Sequence, residues 1–207
     1  LCTADLSSDD ISLHLNGPDG QPLGTFLALE RSAGAPIRFA MNAGMYHQDR
    51  RPVGLYVEDG REAAGLVTRE GPGNFGLLPN GVFCVAGDTA QVFESRSFAA
   101  AGRTCDHATQ SGPMLVIDGT LHPRFLHDSP SLKLRNGVGA TPDGRRVHFV
   151  ISDEPVTFHE MATLYRDVLG VRDALFLDGT VSRLYAPGID RHDGGRPMGP
   201  MVAVTGG

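Results

Sequence analysis

Residues 147–178, VHFVISDEPVTFHEMATLYRDVLGVRDALFLD, decide the fold. Thr157 followed by Glu160 matches a capping box, in which a threonine hydroxyl and a glutamate carboxylate reciprocally satisfy the free N–H groups of a helix start. Met161, Leu164, Tyr165, Val168 and Leu169 then recur at helical spacing as far as Gly170, a residue suited to a helix C-terminus. On either side, residues 147–152 and 174–177 are short apolar runs bounded by turn residues, the pattern of buried strands. The unit reads strand, helix, strand. If both strands share a sheet, the crossover is right-handed and the strands are parallel. Asp153 and Asp178, each just past a strand's C-terminal end, then emerge on one edge, outside which ligands of α/β units tend to bind.

The rest of the chain extends this pattern with strands. Residues 11–15, 37–41, 53–58, 81–86, 90–94, 113–117 and 132–134 carry strand signals, punctuated by turns such as Asn16-Gly17 and Asp59-Gly60. With 27 glycines and 14 prolines in 207 residues, many short strands are favoured over long helices. No repeat or linker divides the chain. The expectation is an α+β fold: one strand-rich domain over residues 1–207, with a mixed twisted sheet, few helices and the C-terminal strand–helix–strand unit.

Composition excludes some partners. The net charge is -6, and basic residues cluster no further than the pairs Arg50-Arg51 and Arg145-Arg146, so a nucleic-acid partner is not expected. No apolar run approaches the roughly eighteen residues that span a bilayer, so no membrane-spanning segment is expected. The chain opens at Leu1 without a charged n-region or an apolar h-region, so any signal peptide is expected to have been removed or to lie outside this sequence. Cys2, Cys84 and Cys105 lack metal-type spacing, and buried free thiols are favoured over a disulfide. Neither cofactor nor metal is expected. Gly71-Pro72-Gly73-Asn74-Phe75-Gly76 matches a dinucleotide fingerprint but is followed by helix breakers. His159-Glu160 has Thr163 where a zinc-protease helix needs histidine, and His122 and His127 find no third ligand at recognisable spacing.

Several polar constellations remain. Asp178-Gly179 between apolar runs is a hairpin signal as much as a functional one. Asp178 and Asp153 on one edge suit an acid and base, or a nucleophile and acid/base, in glycosyl transfer to water. Asp153 also reads as part of a polar turn, and Glu160 as a cap. Arg135-Asn136-Gly137-Val138-Gly139 sets a guanidinium beside a glycine-rich turn able to cradle a phosphate, against the alternative of an Asn-Gly hairpin with a solvated arginine. Gln110-Ser111-Gly112-Pro113 places polar groups just before a strand, as substrate or oxyanion contacts or as a structural turn. In Asn42-Ala43-Gly44-Met45-Tyr46 an amide ends a strand beside a glycine that permits close backbone approach.

Taken in order, Asn42-Ala43-Gly44-Met45-Tyr46, Pro52-Val53-Gly54, Gln110-Ser111-Gly112-Pro113-Met114-Leu115-Val116, Arg135-Asn136-Gly137-Val138-Gly139 and Asp178-Gly179-Thr180-Val181-Ser182 resemble the phosphodiester glycosidase family, over most of the chain from residue 38. The family usually carries Asn-Gly-Gly with two aromatics at the first motif and Asp-Gly-Gly-x-Ser at the last, so Ala43 and Thr180 depart from its pattern. The resemblance implies hydrolysis of a glycosyl-1-phosphodiester, with Asp178, Asp153 and Arg135 as catalytic residues. It further implies substrate contacts from Asn42, Gly44, Gln110, Ser111, Gly112, Asn136, Gly137 and Ser182. A glycan carrying a phosphodiester is the implied partner, and a periplasmic or extracellular setting the implied location. The rival readings are a non-catalytic envelope protein that binds glycans or phosphopolymers, and a plain phosphodiesterase that cuts phosphorus–oxygen bonds.

Overall fold

The computed structural model describes residues 1–179 and 181–206. In chain order its strands are β1 (Cys2–Asp5), β2 (Asp9–His14), β3 (Ile37–Asn42), β4 (Tyr56–Glu58), β5 (Arg61–Ala64), β6 (Gly81–Ala86), β7 (Thr89–Glu94), β8 (His107–Ser111), β9 (Met114–Ile117), β10 (Thr120–Leu121), β11 (Asn136–Ala140), β12 (Arg146–Ile151), β13 (Ala174–Phe176), β14 (Leu184–Ala186), β15 (Arg191–His192) and β16 (Met201–Gly206). The helices are α1 (Phe26–Ser32), α2 (Ser95–Ala101) and α3 (Phe158–Thr163). Three sheets form, in the orders β1-β12-β11-β13-β9-β10, β15-β14-β3-β16-β2 and β5-β4-β8-β6-β7.

The fold is strand-rich, but the single mixed sheet expected from the sequence is replaced by three sheets whose strand pairs are antiparallel. β12 and β13 do share a sheet and run parallel to each other, with β11 inserted between them and antiparallel to both. The sequence pattern overlooked β11 because glycine is depleted in strand interiors. Gly137 and Gly139 are needed there for packing: a Cβ on Gly139 would sit 3.0 Å from the Tyr165 ring, and one on Gly137 would sit 2.8 Å from the Leu175 carbonyl oxygen. Their absence lets the helix lie against the sheet, where Met161, Ala162 and Tyr165 bury against Leu115, Val116, Val150 and Phe176.

The capping box at Thr157 and Glu160 forms, with Thr157 Oγ1 accepting from the Glu160 N–H and the Glu160 carboxylate accepting from the Thr157 N–H at 2.7 Å. After α3 the backbone widens into a π turn over Leu164–Val168, closed by Leu169 N–H to Leu164 C=O. The wider turn breaks the 3.6-residue register, so Val168, expected on the buried face, is 72% exposed. Residues 132–134 are not a strand. Leu132 and Leu134 are exposed, and only Lys133 makes an isolated bridge, to Val156.

The main core lies where all three sheets meet. Phe149 of β12 packs edge-on against Phe39 of β3 at 5.6 Å and Phe83 of β6 at 5.8 Å, one aromatic from each sheet. The third sheet also carries a correction: Cys84 and Cys105 form a disulfide and only Cys2 is free, because β6 and the segment before β8 bring together thiols that are 21 positions apart in the chain. Closing a loop of that length restricts the unfolded chain, and the double replacement Cys84→Ser with Cys105→Ser is expected to cost about 3 kcal/mol in urea unfolding. Unchanged stability in the double variant would show that the bond contributes nothing.

Candidate active site

The first two sheets meet at one end, and the polar motifs collect there. Asn136 opens β11 opposite Ile151, the last residue of β12, while the Leu177 N–H donates to the Asn136 carbonyl. The C-terminal ends of β12 and β13 therefore flank Asn136, and Asp153 and Asp178 leave the sheet on a common edge. From there the chain passes through Ser182 into β14 of the second sheet, which pairs with β3 next to Asn42. Thr180, within the aspartate motif, lies outside the described residues.

Asn136 is the hub. Its Oδ1 accepts from the Asp178 N–H at 3.0 Å, and its Nδ2 donates to Asn42 Oδ1 at 3.1 Å and to Ser182 Oγ at 3.0 Å. Ser182 Oγ in turn donates to the Asp178 carbonyl. Asn42 Oδ1 also accepts from the Arg183 backbone N–H at 3.1 Å, which fixes its amide orientation, since a main-chain N–H can only donate. Asn42 Nδ2 is then left as a buried donor with no acceptor among the described residues, on a side chain 1% exposed. Such a group costs about 1–3 kcal/mol unless something binds it, which marks the place where a ligand oxygen would be favoured.

Tyr46 ends the Asn42-Ala43-Gly44-Met45-Tyr46 motif and is linked to the aspartate by charge. It follows Asn42 by four residues and bridges back to Pro52 through the turn that holds Arg50 at φ 71°. Gly199 presses on its ring, where a Cβ would stand 2.5 Å from Tyr46 Cγ. Burial first, and then the Asp178 carboxylate, raise the Tyr46 hydroxyl above its ordinary pKa, against the opposing fields of Arg183 and Arg50. The phenol is therefore a proton donor at neutral pH.

Other candidates stand differently. Arg135 alternates with Asn136 along the strand and points to the opposite face. It is 2% exposed, its Nε donates to the Val156 carbonyl at 2.8 Å and its Nη2 to the Ser131 carbonyl at 2.9 Å, and its guanidinium lies 3.5 Å from the Phe158 ring centre. Burial lowers its pKa to about 10, so it stays charged. Both readings of a glycine-rich turn around it are corrected, because residues 136–140 are a fully buried strand. Asp153 shares the edge with Asp178, but its side chain is 74% exposed and ion-paired with Arg191 at 2.7 Å.

Gln110 and Ser111 are buried in β8. Gln110 Oε1 accepts from the Leu55 and Val67 N–H groups while Nε2 donates to the Val67 carbonyl and to Ser95 Oγ. Ser111 Oγ donates to the Leu177 carbonyl, tying β8 to the strand that ends at Asp178. Gly44, Gly112 and Gly137 are also buried, as close-approach points: a Cβ would stand 2.4 Å from Thr109 Oγ1 at Gly44 and 2.7 Å from Asn80 Cβ at Gly112. These five residues hold the site in place. Among the described residues no three His, Cys, Asp or Glu side chains converge as metal ligands.

The sequence model of the phosphodiester glycosidase family matches residues 35–205. The uncharacterized protein YigE of Escherichia coli is 34% identical over 188 residues, which cover 90% of this chain and 73% of that protein. Among solved structures, the zebrafish N-acetylglucosamine-1-phosphodiester alpha-N-acetylglucosaminidase catalytic domain, auto-inhibited by its pro-peptide, superposes with a TM-score of 0.64 at 15% identity, covering 97% of this chain and 73% of that one. A hypothetical protein from Synechocystis gives a TM-score of 0.62 at 11% identity, covering 99% of this chain and 58% of that one. At these identities the two structures speak for the fold.

Proposed function

The chain belongs to the phosphodiester glycosidase family, and from that premise we propose that it is a hydrolase that cleaves the bond between a sugar's anomeric carbon and a phosphate diester, on a glycan outside the cytoplasm. The observation that carries the reading is the Asn42–Asn136–Ser182–Asp178 network with its one unclaimed donor, Asn42 Nδ2. Asp178 is the essential carboxylate. Its backbone is clamped on both sides, by Asn136 at its N–H and by Ser182 at its carbonyl, so its side chain is presented in a fixed direction.

In the proposed reaction water attacks the anomeric carbon as its proton passes to Asp178, and the carbon–oxygen bond breaks with its electron pair leaving on the phosphate. The leaving group departs as a phosphate monoester, an anion stabilised by its own oxygens, so one carboxylate suffices without a strong second acid. Asn42 Nδ2 donates to a substrate oxygen, and the Tyr46 hydroxyl, kept protonated by burial and by the Asp178 charge, is a second donor. Arg135 supports the site by fixing the carbonyls of Ser131 and Val156, and Asp153 with Arg191 forms part of the rim. The Cys84–Cys105 disulfide supports an exported location, since such bonds persist in oxidising compartments.

Cleavage in oxygen-18 water tests the bond that breaks. The expected outcome is label in the released sugar and none in the phosphate. Label in the phosphate instead would make the protein a phosphodiesterase, and binding without either product would make it a glycan-binding protein.

A further inference from the structure

We propose that Arg183 is the residue that receives the substrate's phosphodiester, its guanidinium working beside the Asn42 amide and the Tyr46 hydroxyl. The inference rests on the glycosyl phosphodiester reading and gives its anion a place. Arg183 immediately follows Ser182, and its main-chain N–H is fixed to Asn42 Oδ1. Its side chain lies along the segment before β16: Nη1 donates to the Arg196 carbonyl, and Gly195, at φ 137°, passes so close that a Cβ there would stand 2.3 Å from Arg183 Nη2. Only a residue without a side chain leaves the guanidinium that room.

Several other arginines are already engaged. Arg191 is committed to Asp153 and Asp193, and Arg38 to Asp9. Arg135 gives two donors to carbonyls and its face to Phe158. Arg183 forms no ion pair among the described residues, and there its single side-chain hydrogen bond goes to a neutral carbonyl. Nε and Nη2 remain as donors, and a guanidinium edge offers two N–H groups spaced for the two free oxygens of a phosphodiester.

Charge points the same way. Asp178 raises the Tyr46 pKa while Arg183 and Arg50 lower it, so the field at the phenol comes from two cations and one carboxylate, and the surplus matches the single negative charge of a diester. Arg50 is placed at the margin by its left-handed turn, with Nη1 near Gly24 and the Pro197 side of the same segment. A second cation there raises the local potential for an anion without having to touch it.

The test follows arginine side-chain Nε–Hε resonances of nitrogen-15-labelled protein during titration with dimethyl phosphate, a diester without a sugar. Arg183→Lys, which keeps the charge and the fold, identifies the Arg183 signal by its disappearance. The expected result is a saturable shift of the Arg183 resonance and a loss of affinity of at least about tenfold in Arg183→Gln, with Arg145→Gln, on the exposed surface, binding as wild type. An Arg183 resonance that stays still, or a shift confined to Arg135, overturns the assignment. Sugar release is measured separately: dimethyl phosphate binding that depends on Arg183, in a protein that hydrolyses no glycosyl phosphodiester, would reject the enzymatic reading and leave the anion site standing.

Discussion

Asp178→Asn lowers kcat for a methyl phosphodiester of a sugar 1-phosphate by about a thousandfold, with thermal unfolding within about 2 °C of wild type. The large effect is expected because the substitution removes the carboxylate proposed to take the proton from water, at the site where the Asn42 amide has a donor to spare. The small effect on stability follows from the main-chain anchoring. Asn136 holds the Asp178 N–H and Ser182 holds its carbonyl, and neither bond involves the carboxylate, so an isosteric amide leaves both in place. KM should change little, since the substrate's charge is met by arginine. The matched comparison is Asp153→Asn. Its carboxylate sits in solvent against Arg191 and is expected to alter kcat by less than about tenfold. A folded Asp178→Asn protein with wild-type kcat would remove the carboxylate from the mechanism.

Much of this site could be read in the sequence because its residues sit where strands end. Asn42, Asp178 and Ser182 each fall in a short polar motif that follows an apolar run, and a strand that stops delivers its next side chain to the sheet edge. What stayed hidden depended on which face of a strand a residue occupies. Read as a turn, Arg135 and Asn136 look like joint ligands; as the entry to β11 they point oppositely, so only one of them enters the site. Gln110 shows the same limitation. A glutamine before Ser-Gly-Pro looks available, yet contacts from Leu55, Val67 and Ser95, all distant in sequence, already satisfy its amide. The Cys84–Cys105 pairing was equally out of reach, because three thiols without spacing rules leave the choice to strand register.

Asn136→Ala should be the most damaging single change outside Asp178, because one side chain serves three elements. Its Oδ1 holds the Asp178 N–H, and its Nδ2 holds Asn42 Oδ1 and Ser182 Oγ, with Asn136 and Asn42 buried and Asp178 and Ser182 partly so. Removing it breaks three hydrogen bonds, and at about 1 kcal/mol for each the expected loss in urea unfolding is about 3 kcal/mol. Activity should fall further than stability accounts for, since the loop bearing Asp178 would lose its tie to β11 while the bulk of the core stayed packed. Ser182→Ala supplies the control for this reasoning. It removes the bond to the Asp178 carbonyl and one acceptor for Asn136 but keeps the Asn136–Asp178 and Asn136–Asn42 links, so about 2 kcal/mol is expected. If Asn136→Ala and Ser182→Ala proved equally mild in both unfolding and kcat, neither the amide at the Asp178 N–H nor the hydroxyl at its carbonyl would be what fixes the aspartate.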